Sequence, residues 1–274
     1  MKEQIKFTVS VGNEYKPDWQ AKAKSILEPM NPIHMNLSPS GLVLEFVFDH
    51  YPDLADEARH DLRGHGISSS ISVRREYTMD ELVNAKFLVL NTREVVDSVP
   101  DTLQWHLLRL CDHCGFQETV WDLSTLHIAN KPQGYEFAKV DWHPKVVSPL
   151  LAEQLQKEKY TGLELIPIHG ENLPSWYAVQ TTHTLPPLKS PPTRLIRLPR
   201  ATTSCQPNHN WEFPDSQFFY NRAGFEVADF NKTFEIFGDS QSAAPAIVIS
   251  NRVYRMFTSL GVKKLICEPI QIIE

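Results

Sequence analysis

Val146-Val147-Ser148-Pro149-Leu150-Leu151 opens a stretch that closes on Gly162-Leu163-Glu164-Leu165-Ile166-Pro167-Ile168. Val248-Ile249-Ser250 opens another, which closes on Lys264-Leu265-Ile266-Cys267-Glu268-Pro269-Ile270. Position 146 answers to 248 and 168 to 270, a constant offset of 102. Each stretch reads as a strand, a serine N-cap, a helix of about three turns and a second strand ending in Pro-Ile. Leu151 and Leu155 mark the apolar stripe of the first helix, Val253 and Phe257 that of the second. Serine suits the cap because its hydroxyl accepts an orphan amide proton of the first turn, and Pro149 has no amide proton to satisfy. Two copies are too few for a solenoid, leaving an internal duplication or coincident punctuation. Both readings imply an α/β or α+β protein with mixed sheets built from strand-helix-strand units.

Toward the N-terminus the same grammar recurs. Residues 4–11 alternate polar and apolar side chains, the pattern of a half-buried strand. Residues 42–48 are a denser strand. Residues 51–63 carry Pro52 in a first turn, Asp53, Asp56 and Glu57 at the positive end of a helix dipole, and Leu54, Ala58 and Leu62 at helical spacing. Gly64 would end that helix, and Ile67, Ser69, Ile71 and Val73 resume alternation. Thr78-Met79-Asp80-Glu81 is a capping box for a short helix leading into an apolar strand at 87–90. The expected division is residues 1–95, an α+β domain, and residues 96–274, an α/β domain with a zinc-knuckle-like insertion.

The 274 residues are 42% hydrophobic, with 33 acidic and 27 basic side chains, which excludes wholesale disorder and fibrous repeats. A formal charge of −6 is too mild to mark a nucleic-acid binder. Residues 181–200 are the local exception: Lys189, Arg194, Arg197 and Arg200 are interleaved with five prolines and no acid. The stretch has no aromatic residue for base stacking, so it reads as an extended connector, with a nucleic-acid arm as the alternative. No window approaches the ~18 apolar residues of a membrane span, and the start of the chain lacks a secretory signal. The expected compartment is cytoplasmic, where four cysteines do not form a disulfide framework.

Cys111-Asp112-His113-Cys114-Gly115 has the C-x-x-C-G form of a zinc knuckle, whose tight turn lets both thiolates face one ion. It is half a site. The best second pair by spacing is Cys205-x3-His209, which would give a closed Cys3His set. A degenerate knuckle without metal and a redox-active C-x-x-C stay open beside it, with His113 as a substitute ligand. Cys267 follows the pattern of a buried strand residue. His60 and His65 straddle a helix stop and read as dipole partners. Asp141-Trp142-His143 precedes a turn proline and reads as structural. No zinc-protease, nucleophile-elbow, P-loop or dinucleotide fingerprint occurs, so no catalytic or organic-cofactor residues are nominated. Trp105, Trp121, Trp142, Trp176 and Trp211 fall in or near expected loops and segment edges; core packing explains most of them, and a subset on an open face would be interface anchors.

The run from Tyr77 to Leu90, the knuckle, Thr161 to Ile168, and the tail from Ile247 to Tyr254 through Glu268-Pro269 together resemble the double-CXXCG-motif proteins of bacteria and related immunity proteins of polymorphic toxin systems. The resemblance covers about two-thirds of the chain in scattered pieces. It implies two knuckles closing a zinc ribbon; here one is complete, and Cys205 and His209 stand roughly where the second would be. It also implies a cytoplasmic, stoichiometric inhibitor that occludes a cognate protein toxin; composition and charge add the expectation of no membrane partner and disfavour a nucleic-acid one. The competing readings are a metal- or thiol-dependent enzyme using Cys111 and Cys114, and a nucleic-acid adaptor using residues 181–200.

Overall fold

The computed structural model describes residues 1–11, 18–49, 54–99, 103–140, 144–169, 174–198, 202–238 and 243–274. Pro52 and Asp53, Asp141 to His143, and Pro199 and Arg200 lie outside these residues. The fold is α+β, in two compact units, Met1–Thr78 and Met79–Glu274.

The first unit comprises β1 (Lys2–Val11), α1 (Trp19–Leu27), β2 (His34–Leu37), β3 (Val43–Phe48), α2 (Ala55–Gly64) and β4 (Ile67–Glu76). Its antiparallel sheet has the order β2-β3-β1-β4, so β1 lies between the two strands that flank α2. Alternation sends Ile5, Phe7, Val9, Leu44, Phe46 and Phe48 to one face, where Trp19, Ala23 and Leu27 of α1 and Ala55, Ala58 and Leu62 of α2 cover them. The helix expected at 51–63 is α2.

The second unit comprises α3 (Met79–Asn84), β5 (Phe87–Thr92), β6 (Val95–Val96), β7 (Gln104–Arg109), β8 (Gln117–Asp122), β9 (Phe137–Val140), β10 (Lys145–Val147), α4 (Pro149–Lys157), β11 (Leu163–His169), β12 (Pro174–Thr181), β13 (Phe219–Asn221), β14 (Phe230–Phe237), β15 (Ala244–Ser250), α5 (Asn251–Ser259), β16 (Leu265–Pro269) and β17 (Gln271–Ile273). Two sheets dominate it, ordered β11-β12-β10-β9-β6 and β14-β15-β5-β16. The boundary expected after residue 95 falls instead at Thr78. The reason is nonlocal: β5 sits between β15 and β16, antiparallel to both, and so belongs to the later unit.

The 102-residue match is carried by the backbone as well as the side chains. Helices α4 and α5 begin and end at matching positions, and Ser148 and Ser250 cap them by accepting from Leu151 N and Val253 N, each at 3.4 Å. Left-handed residues recur in step: Lys159 with Gly261, and Gly162 with Lys264. Both helices bury their stripes in one core with Leu88, Phe137, Val147, Phe230 and Ile249.

Residues 181–198 are more than a connector. Leu185 and Leu188 are buried with Phe218, Tyr220, Phe237 and Val248, and Leu188 N donates to Glu235 Oε1 at 2.8 Å. Glu235 is only 2% exposed, and neither its Oε2 nor the buried Tyr220 hydroxyl has a hydrogen-bond partner among the described residues. Burial raises the Glu235 carboxyl above its ordinary value, and the Leu188 bond pulls it down less strongly. A raised folded pKa means stability that is present below the unfolded value of about 4.3 and lost as pH rises through the folded value. Glu235→Gln keeps the acceptor for Leu188 and cannot ionise. Its melting temperature should gain on the parent's as pH rises from about 4 to 8; a difference that stays constant with pH would refute this.

Candidate metal centre

Both halves of the centre are hairpin tips. Strands β7 and β8 pair antiparallel from Gln104 opposite Asp122 to Arg109 opposite Gln117. Their turn is closed by Leu110 N and Cys111 N donating to Phe116 O at 2.9 and 3.3 Å. Gly115, at φ +69°, takes the left-handed conformation needed after the second cysteine. The second tip is held by a short ladder: Leu198 N donates to Asn210 O at 2.8 Å and Glu212 N to Ile196 O at 2.9 Å. Arg197 lies over the Trp211 ring, 4.8 Å from its centroid, and donates to the carbonyls of Thr202 and Gln206, which fixes the loop carrying Cys205.

The ligand atoms of Cys111, Cys114, Cys205 and His209 all lie within 4.8 Å of one another. Cys114 Sγ is 3.4 Å from His209 Nε2. Cys111, Cys205 and His209 are buried, and Phe116 stacks on the His209 ring at 4.7 Å between centroids. The four expected residues are therefore together, from positions some 90 apart in the chain, and they can hold a four-coordinate metal ion. His113 is exposed and is not part of the group.

A second layer of hydrogen bonds orients the ligands. Thr202 donates to Cys205 Sγ through its amide at 3.3 Å, and its hydroxyl lies 3.2 Å from the same sulfur. Asn210 Nδ2 donates to Cys114 Sγ at 3.1 Å. Asn208 Oδ1 is 3.1 Å from His209 Nδ1, so a proton on Nδ1 leaves the Nε2 lone pair facing the sulfurs. The Thr202 bonds bring the Cys205 thiol down to about 7, which favours the ligating thiolate. Burial pushes the Cys114 thiol up. Burial, assisted by Arg197, lowers His209 and keeps the imidazole neutral, the form that binds metal. Thr202, Asn208 and Asn210 were not nominated from the sequence; the available signal was polar residues flanking the C-x3-H pair.

The remaining candidates lie elsewhere. Cys267, in β16, packs against the main core, and burial pushes its thiol up to about 12. His60 and His65 are exposed around the end of α2. Asp141-Trp142-His143 falls outside the described residues. All four cysteines are free.

The hairpin that carries the knuckle is unusual in what it shows to solvent. Every residue of β7 is exposed, including Trp105, Leu107 and Leu108. Trp105 pairs across the strands with Trp121, ring centroids 6.2 Å apart. Both tryptophans, expected at loops, are strand residues, as is the buried Trp176 of β12.

No family model, curated protein or solved structure matches this chain. Among the described residues, no helix is long and apolar enough to cross a membrane.

Proposed function

We propose that this chain is a cytoplasmic binding protein of the immunity type, which occludes a cognate bacterial toxin and uses the Cys3His group to hold a structural zinc ion. The observation that carries the reading is the hairpin β7–β8: its tip is pinned by the candidate metal ligands while its strand presents Trp105, Leu107 and Leu108 to solvent. Tetrahedral zinc, with Zn–S about 2.3 Å and Zn–N about 2.0–2.1 Å, separates its ligand atoms by about 3.5–3.8 Å, which the cluster reaches by closing in from separations of at most 4.8 Å. Four protein ligands leave no position for water or substrate, so the ion would supply fold energy and no Lewis-acid step. Aromatic and leucine side chains on a rigid hairpin are suited to filling pockets of a partner, and affinity would rest on a few of them.

The test is whether a toxin is encoded beside this gene and is inhibited by the purified, untagged protein, with metal content measured on the same sample. Inhibition should saturate at one molecule per toxin. Trp105→Ala combined with Leu108→Ala should weaken binding at least about tenfold while lowering the melting temperature by no more than about 4 °C, because both side chains are about half exposed and the main loss is the cross-strand pair of Trp105 with Trp121. Catalytic turnover by this chain, or an unaffected double variant, would overturn the proposal.

A further inference from the structure

The 102-residue match is one part of a larger correspondence that includes the strands the two segments do not contain. In one sheet Ala178 of β12 lies between Val146 and Ile166; in the other Val89 of β5 lies between Val248 and Glu268. Tyr177 faces Val147 and Pro167 just as Leu88 faces Ile249 and Pro269. Strand β5 is thus the counterpart of β12, at an offset of 89. Phe137 opposite Val147 matches Phe230 opposite Ile249, so β9 is the counterpart of the start of β14, at an offset of 93. The parallel pairing of Val95 with Lys139 returns as the parallel bridge of Thr184 with Lys232.

Backbone hydrogen bonds outside the ladders follow the same offsets. Lys139 N donates to Glu94 O at 3.0 Å and Lys232 N to His183 O at 2.8 Å; Ser148 N donates to Glu136 O at 3.0 Å and Ser250 N to Asp229 O at 2.9 Å. Two bonds are reciprocal: Arg93 N donates to Lys264 O at 2.9 Å, and Thr182 N to Gly162 O at 3.0 Å. Residues 87–169 and 176–271 therefore read as two repeats, each of which places its first strand in the middle of the other's sheet.

Each repeat carries one long insertion in the same slot, between the parallel pairing segment and the next strand. In the first repeat it spans residues 97–136 and holds Cys111 and Cys114; in the second it spans residues 185–229 and holds Cys205 and His209. The second tip is fastened to its own repeat, because Asn208 O accepts from Ile236 N at 2.6 Å and Gly238 N donates to Trp211 O at 2.8 Å. The first tip meets that tip through Phe116 on His209 and through packing of Cys111 and Phe116 with Cys205 and Ile236.

We infer that the metal centre is the joint of an internal, strand-exchanged pseudo-dimer, two ligands coming from each repeat, and that its ion pins the β7–β8 hairpin of the first repeat onto β14 of the second. This rests on the reading of the Cys3His group as a zinc site. The ion governs the display of the hairpin, while the exchanged strands hold the core without it. Loss of metal would switch off partner binding in a chain whose two main sheets remain paired.

The experiment is hydrogen exchange on the full chain, loaded with zinc, stripped by chelator, and as the variants Cys114→Ser and Cys205→Ser. Amides of 104–122 should exchange at least tenfold faster after stripping and in both variants. Amides of β5, β10, β12 and β15 should stay protected at least about a hundredfold in every form, as strands of a sheet that remains folded. Zinc uptake with an unchanged hairpin in Cys205→Ser would overturn the inference alone, since the second repeat would not be holding the first. Loss of protection in β5 and β12 together with the hairpin would also overturn it, by making the ion part of the core. Failure of the parent to take up zinc at all would overturn the zinc reading and the inference together. The chelator arm keeps the test decisive if a serine variant fails to fold.

Discussion

Cys111→Ser should reduce bound zinc from one per chain to below one tenth and lower the melting transition of residues 79–274 by roughly 6–12 °C. The shift follows from mass action: an ion that binds only the folded centre stabilises it, and loss of about 3 kcal/mol moves a domain of this size by about 2–4 °C per kcal/mol. The ligand atoms sit within 4.8 Å, and Cys111 is buried, so a serine hydroxyl replaces a thiolate without room for a substitute ligand. Calorimetry and elemental analysis of the same preparation read both effects. Chelation of the parent should reproduce most of the loss. A variant that keeps its zinc, or loses it with an unmoved transition, would show that Cys111 is no structural ligand. The enzyme reading makes the opposite forecast: lost turnover in a chain that melts where the parent does.

Gly162→Ala should cost roughly 4 kcal/mol, seen as a fall of about 8–16 °C in the same transition. Gly162 sits at φ +75°, and an added methyl would fall on the carbonyl oxygen of Phe230 and within 2.6 Å of Ala228 Cβ. The first of these is backbone in the core and cannot move aside. Gly261→Ala is the internal control. Its φ is +73°, its surroundings are open to 4 Å, and its counterpart Lys159 carries a side chain at φ +53°. That substitution should cost only about 1 kcal/mol of left-handed strain. Equal losses for the two variants would show that conformation alone, and not the close approach of the repeats, makes Gly162 necessary.

The correspondence also places Lys264 at the position equivalent to Gly162. Phe230 N donates to Thr161 O at 2.9 Å in the tight corner, where Gly162 admits the backbone. In the other corner Lys264 carries a Cβ at φ +57°, and the Thr92 hydroxyl points between the carbonyls of Phe137 and Lys264, at 3.1 and 3.4 Å. Both corners keep the reciprocal backbone bond from Thr182 or Arg93; the first adds the Phe230–Thr161 backbone bond and the second the Thr92 hydroxyl bridge.

Elements whose signal lies within a few residues were legible. The serine caps, the helices they start, the alternation of β1 and β3, and the turn of the knuckle all depend on neighbours in the chain, as did the pairing of Cys205 with His209 by spacing. Helix α1 was not read, although Trp19, Ala23, Ile26 and Leu27 recur at helical spacing, because alanine at two of its five apolar positions makes a weak stripe. Strands β7 and β8 were not read either: their apolar side chains do not alternate with a buried face, since β7 has none.

The amino-acid order alone determined the repeated strand-helix-strand segments and the residue types of a four-ligand set, because caps, periodicity and tight turns are settled by local sterics and hydrogen bonds. It did not determine that β5 leaves its own repeat to fill the sheet of the other, that the unit boundary therefore falls at Thr78, or that Thr202, Asn208 and Asn210 surround the ligands. Those were decided by tertiary structure. Every strand offers the same amide and carbonyl groups, and only the packing of distant side chains in a shared core selects which strand takes which place.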